Sequence, residues 1–242
     1  MSRPATSQLV LSIETTAPHP GAAVAARRAG AIDVVAARHV EPLRGRGEAL
    51  AGVVARVLEE AGIGVEDLDA ICVVDGPGSY TGLRVGLALA RGMALVDRLP
   101  TIAIGSLELV AHAGLEENVA CEEICALLDA SGGKLYASRY RTVGGVLECV
   151  RAAEVVLADE LAATLEATGD RWTVCGDAAL AETVDLDVRV SPERAGLLAR
   201  IGAARLAAGA AVAHDSVLPR YVGATGARAN RRKVAPTSAL IR

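Results

Sequence analysis

The 242 residues (24.7 kDa) leave room for one large lobe or two small ones, and 52% hydrophobic with 22% charged residues at mean hydropathy +0.35 excludes a disordered or low-complexity chain. With no Phe, one Trp and four Tyr, the core must be built from Ala, Val, Leu and Ile, and stacking of single-stranded nucleic acid on exposed rings is excluded as the main mode of binding. The net charge of −4 hides an asymmetry: after Asp215 stand six basic residues (Arg220, Arg228, Arg231, Arg232, Lys233, Arg242) and no acidic one, so the chain before them carries −10.

Three apolar, β-prone runs open the chain, at 8–13, 21–26 and 31–37; Pro18, Pro20 and Gly30 separate them and predict strands joined by short turns. In 48–61, Leu50, Val53, Val54, Val57, Leu58 and Ala61 recur at the spacing of an amphipathic helix. The continuous apolar run 68–74 suits a central buried strand, 80–96 has the length and composition of a helix, and 101–104 is a short strand. No element is assigned from there to Ile124. Strands at 124–128, 134–142 and 146–150, a helix at 159–168, a strand at 171–175, a short helix near 178–183, a strand at 188–190 and a helix at 192–208 follow.

The order βββαβα occurs twice and predicts two similar α/β lobes, 1–105 and 106–191. A C-terminal helix and strand over 192–225 are expected to pack back on the first lobe, ahead of a basic, disordered tail over 226–242. That tail reads as a solvated terminus, with contact to phosphate backbones as its alternative. The natural ligand site of such a pair of lobes is the cleft at the carboxyl ends of their strands.

An acidic residue ends the first strand of each half: Glu14 before the turn that begins at Thr15, and Asp129 before Ser131, Gly132 and Gly133. Two such carboxylates, each followed by a small-residue turn with free N–H groups, suit magnesium and a nucleotide phosphate; the other reading is an acceptor for turn hydrogen bonds. Between a buried strand and a helix lies Asp-Gly-Pro-Gly-Ser-Tyr-Thr-Gly-Leu-Arg-Val-Gly at 75–86, whose glycine spacing meets neither G-x-G-x-x-G nor the Gly-Lys-Ser/Thr phosphate loop. Gly132, Gly133 and Lys134 fail the second test as well. Ser79 or Thr81, following Gly78, can cap the helix and leave N–H groups for an anion, with Arg84 one turn on. Gly78, Gly82, Gly86, Ala90 and Ala94 recur every four residues, a ridge that admits another helix or the chain's own sheet at close range.

The longest stretch without Asp, Glu, Lys or Arg, 15–26, is 12 residues, short of the roughly 20 a membrane span needs. Residues 1–7 lack the apolar core of a secretory signal, so the expected compartment is the cytoplasm. Five scattered cysteines, Cys121 and Cys125 among them, read as free thiols. Four separated histidines form no metal pair, and no G-x-S-x-G elbow occurs. Missing catalytic constellations point to a chain that works through a partner protein; the alternative is an ATPase or small-molecule kinase acting on its own through Glu14 and Asp129.

Leu-Ser-Ile-Glu-Thr-Thr at 11–16, the motif at 75–86, Ile-Gly-Ser-Leu-Glu at 104–108 and Pro-Arg-Tyr at 219–221 resemble the TsaB (YeaZ) family of tRNA threonylcarbamoyladenosine biosynthesis. The resemblance implies a duplicated actin-like, ribonuclease-H-like fold of βββαβαβα lobes. It implies no catalytic residue and no metal, but a cytoplasmic subunit that supports TsaD, with the ATPase TsaE, in modifying the adenosine beside the anticodon of tRNAs reading ANN codons. It further implies a homodimer when the chain is alone, tRNA met only through the complex, no tightly bound cofactor, and ATP or ADP with magnesium at the subunit junction. The helices 48–61 and 80–96 would form the TsaD surface, with Leu50, Val53, Val57, Gly82, Val85, Gly86, Leu89, Ala90 and Met93 on it. The family has Asp at the position of Glu14, His-Ser-Glu at Arg46-Gly47-Glu48 and Ala-Arg at Ala130-Ser131, departures that touch nucleotide binding more than partner binding.

Overall fold

The computed structural model describes residues 7–40, 46–116, 123–169, 171–181, 184, 186–190, 193–213 and 216–223. The chain divides into two compact units: Met1–Asp75 with Ser79–Ile104 and Glu193–Pro219, and Gly76–Gly78 with Gly105–Pro192 and Arg220–Arg242.

The first unit is built on β1 (Gln8–Glu14), β2 (Gly21–Arg28), β3 (Ala31–His39), β4 (Ala70–Gly76) and β5 (Thr101–Gly105), ordered β3-β2-β1-β4-β5. β1 pairs antiparallel with β2 and parallel with β4, and β2 antiparallel with β3. Alternation along β1 sends Leu9, Leu11 and Ile13 toward α1 (Arg46–Ala61) and α2 (Tyr80–Asp97), where Leu50, Val53, Val57, Ile71, Val73 and Leu87 complete the core. Ser12 points the other way and donates to the Ala195 carbonyl at 2.7 Å, which ties β1 to α6 (Ala195–Ala207).

The second unit carries β6 (Glu123–Ser131), β7 (Lys134–Val143), β8 (Val146–Leu157), β9 (Trp172–Gly176) and β10 (Val188–Val190), ordered β10-β9-β6-β7-β8, the first sheet's pattern over again. Cys125 and Leu127 of β6 face α4 (Ala158–Glu166) and α5 (Ala178–Ala181) through Leu161, Leu165 and Leu180. Ile124, Ala126 and Leu128 face α3 (Ser106–Glu116) through Leu107, Val110 and Ala111. Each unit borrows its second covering helix: α3, which follows β5, packs on β6, β7 and β9, whereas α6, which follows β10, packs on β1, β2 and β3.

Three differences from the sequence expectation have physical causes. α3 was not expected, because eight of its eleven residues are buried and it has no polar face to set a period. β8 runs on to Leu157, its Arg151 and Glu154 meeting as an exposed ion pair at 2.9 Å instead of ending the strand. Residues 192–225 divide at Pro219, and among the described residues there the expected strand is a single bridge between Thr101 and Val212. Cys121, Asp215 and the tail basics from Arg228 on lie outside the described residues.

Burial in the second unit makes an alkaline prediction. It pushes the Cys125 thiol up to about 12 from a usual 9.0 and raises the Tyr140 phenol above its usual 10.0. Both groups keep their protons in the folded state at pH values where the unfolded chain has released them. Stability is therefore lost as pH rises from about 9, by up to about 1.4 kcal/mol per pH unit for each group. Urea melts between pH 8.5 and 11 check this, and Cys125→Ala is expected to flatten the slope by one group's share.

Candidate functional site

Glu14, at the end of β1, is buried, and its carboxylate is consumed locally. Oε1 accepts from the Thr16 amide at 2.7 Å, the Thr16 hydroxyl at 2.5 Å and the Ala17 amide at 3.0 Å, while Oε2 lies 2.9 Å from the same Ala17 amide. The turn-acceptor role is the one seen, and no oxygen is left facing outward for a cation.

Asp129 is exposed, and its Oδ1 accepts from the Ser131 amide at 2.7 Å at the mouth of the β6–β7 hairpin. Ser131, Gly132 and Gly133 carry φ of 66°, 65° and 74° there, the left-handed backbone of a tight reversal that glycine adopts without steric cost.

At the start of α2, Ser79 is the cap: its Oγ accepts from the Gly82 amide at 3.3 Å, while Thr81 stands exposed in the first turn and Gly78 is half-buried before it. The Arg84 guanidinium stacks 4.1 Å over the ring of Tyr80.

The expected partner face splits. Leu50, Val53 and Val57 are core residues, and Gly82, Gly86 and Ala90 are buried with them. A Cβ on Gly82 would stand 2.8 Å from the Thr15 carbonyl oxygen, and one on Gly86 2.8 Å from Thr15 Cγ2, so the small-residue ridge is shaped to the chain's own β1 turn. These six residues are corrected from surface to interior: the apolar stripe that identifies an amphipathic helix is the stripe its own sheet must bury. Val85, Leu89 and Met93 are half-buried at the flank, packed against the same core.

Exposed on α2 are Tyr80, Thr81, Arg84, Ala88, Gly92, Leu95 (65% exposed), Val96 (83%) and Asp97. Neighbouring α1 turns out Ala51, Ala55, Arg56, Glu59 and Glu60, with Gly52 half-buried. Leu95 and Val96 lie off the four-residue spacing of Gly78, Gly82, Gly86, Ala90 and Ala94, so that spacing does not reveal them.

The motif segments have a structural reason to occur together. The Ser106 hydroxyl donates to the Pro77 carbonyl, and a Cβ on Gly105 would meet Arg220 Nη1 at 3.6 Å and the Gly76 carbonyl oxygen at 3.8 Å. Pieces of 75–86, 104–108 and 219–221 thus meet at one place in the second unit.

Two five-stranded sheets of like order, each flanked by helices, define a duplicated α/β protein of the actin-like, ribonuclease-H-like class. A solved structure from Pseudomonas aeruginosa, described as an uncharacterized protein with similarity to peptidase YEAZ, superposes with TM-score 0.73 at 22% identity over 89% of this chain and all of that one. YeaZ from the same organism gives 0.71 at 22% identity, over 89% of this chain and all of that one. The sequence profile of the family described as "TsaD: tRNA N6-adenosine threonylcarbamoyltransferase" matches residues 43–221, and the chain belongs to that family.

Its place within the family is the TsaB/YeaZ branch. The threonylcarbamoyladenosine biosynthesis protein TsaB of Haemophilus influenzae is 39% identical over 83 residues, 34% of this chain and 35% of its own length. TsaB of Bacillus subtilis is 37% identical over 106 residues, 43% and 45% of the two chains. The tRNA N6-adenosine threonylcarbamoyltransferase of Methylobacterium sp. (strain 4-46) is 36% identical over 159 residues, 59% and 44%. The chain thus spans between about a third and just under half of the length of these curated relatives.

Proposed function

We propose that the chain is a non-catalytic subunit of threonylcarbamoyladenosine synthesis on tRNA, which docks the outward faces of α1 and α2 on TsaD and supports it. The observation that carries this is the apolar part of the outward side of α2, where Ala88, Gly92, Leu95 and Val96 stand exposed, flanked by the exposed Arg84 and Asp97 and the half-buried Arg91. TsaE joins the complex, tRNA reading ANN codons meets the chain through it, and the chain pairs with itself by the same face when TsaD is absent. The proposed compartment is the cytoplasm, as the family resemblance implies. Separately, none of the described helices is long and apolar enough to cross a membrane.

Glu14, expected to hold magnesium together with Asp129, has its carboxylate engaged by the amides of its own turn, whereas Asp129 is exposed and accepts from the Ser131 amide through Oδ1. In this reading ATP or ADP with magnesium belongs to the subunit junction, as the family resemblance implies.

Co-expression with the TsaD of its host, followed by light scattering, tests the reading. A heterodimer that replaces the homodimer is the expected result. A mass that ignores TsaD, with heat released on adding ATP and magnesium to the chain alone, would overturn it in favour of a self-sufficient ATPase or kinase.

A further inference from the structure

The turn after β1 is left without a part in that scheme, although a carboxylate is buried to hold it. Glu14 binds the Thr16 and Ala17 amides and the Thr16 hydroxyl, which leaves Thr15 at the apex. The apex presses on α2 at two successive turns of its ridge, with the Thr15 carbonyl under Gly82 and its side chain under Gly86. Thr15 Oγ1 is buried and makes no hydrogen bond to any described residue, so the side chain acts there by shape. Gly82 and Gly86 lie on the side of α2 opposite Ala88 and Leu95, so whatever sets the seat of the ridge also sets how the outward face is presented.

We infer that Glu14 and Thr15 form a strut that fixes the distance and rotation of α2 on its sheet and are positioning residues for partner docking. The inference rests on the reading that α2 is the docking helix. A methyl on Gly86 would push the helix off its seat by a few tenths of an ångström and turn Ala88 and Leu95 with it. A ligand-holding turn would behave otherwise, because it would need the Glu14 charge and the Thr15 hydroxyl themselves.

A mutant cycle separates the two. Gly86→Ala brings a methyl to 2.8 Å from Thr15 Cγ2, and Thr15→Ala removes Cγ2 and Oγ1, leaving Thr15 Cβ at 3.5 Å, an ordinary contact. Gly86→Ala alone is expected to weaken TsaD binding about tenfold and to lower the melting temperature, and the double variant to recover affinity to within about threefold and the melt with it. Thr15→Val, a methyl in place of an unpartnered hydroxyl, is expected to keep both full affinity and the activity of the reconstituted complex. Glu14→Gln keeps an oxygen able to take the bonds that Oε1 takes and should bind TsaD, whereas Glu14→Ala should not. Wild-type affinity in Gly86→Ala, no recovery in the double variant, or loss of activity in Thr15→Val or Glu14→Gln would overturn the strut. Should the wild-type chain itself ignore TsaD, the docking reading falls alone, because recovery of the melt in the double variant still decides whether the strut exists.

Discussion

Placing glutamates at Ala88 and Leu95 is expected to abolish association with TsaD while leaving the fold untouched. Both side chains point outward, near the middle and the end of α2, and neither belongs to the core. Two carboxylates buried at the centre of an interface without partners should each cost at least about 2 kcal/mol, so affinity falls by about 1,000-fold or more. In the isolated chain they remain solvated, and stability should move by no more than about 0.5 kcal/mol each. Val57→Ala is the contrasting variant: it lies on the stripe that sequence reasoning assigned to the partner, yet it should cost about 2 kcal/mol of stability and change affinity only through the fraction folded. Titration calorimetry alongside thermal melts separates the pair, and a reversal of the two outcomes would return the interface to the inner stripe.

The same contrast shows what a linear sequence conveys. Patterning was enough to find β1, β2 and β3 as apolar, β-prone runs broken by Pro18, Pro20 and Gly30, and α1 by its 3.6-residue period. It failed for α3, buried nearly all round, and it stopped β8 at Val150, where an edge strand can carry Arg151 and Glu154 in the open. The candidate site was legible as motifs but not as roles. Nothing in the residues 11–16 tells whether Glu14 looks outward to a cation or folds back on its own amides, since that depends on where the following turn closes. The glycines of α2 announced a close neighbour without saying that it was Thr15 of the same chain.

Glycine in a helix therefore has to be weighed position by position, and Gly92 and Gly202 are expected to answer the same substitution with opposite signs. Gly92 lies on the outward side of α2 with no described atom within 4 Å of where a methyl would stand, so Gly92→Ala removes only chain entropy from the unfolded state and should stabilise by about 0.5–1 kcal/mol. Gly202 lies in α6 where that helix crosses the first sheet, and a Cβ there would stand 2.6 Å from Cys72 Cβ, 2.9 Å from Cys72 Sγ and 3.2 Å from Val10 Cγ1. Cys72 and Val10 are fully buried in β4 and β1, so neither can swing aside. Gly202→Ala should lose the propensity gain to overpacking and destabilise by about 1–3 kcal/mol, and Gly202→Leu by more. At about 2–4 °C per kcal/mol for a chain of this size, the alanine variants should melt on opposite sides of the wild type. Cys72→Ala in the Gly202→Ala background removes Sγ but leaves the Cβ at 2.6 Å, so it should restore only part of the loss. Full recovery would mean that the helix rides on the sulfur alone, and no loss in Gly202→Ala would mean that α6 is free to lift from the sheet.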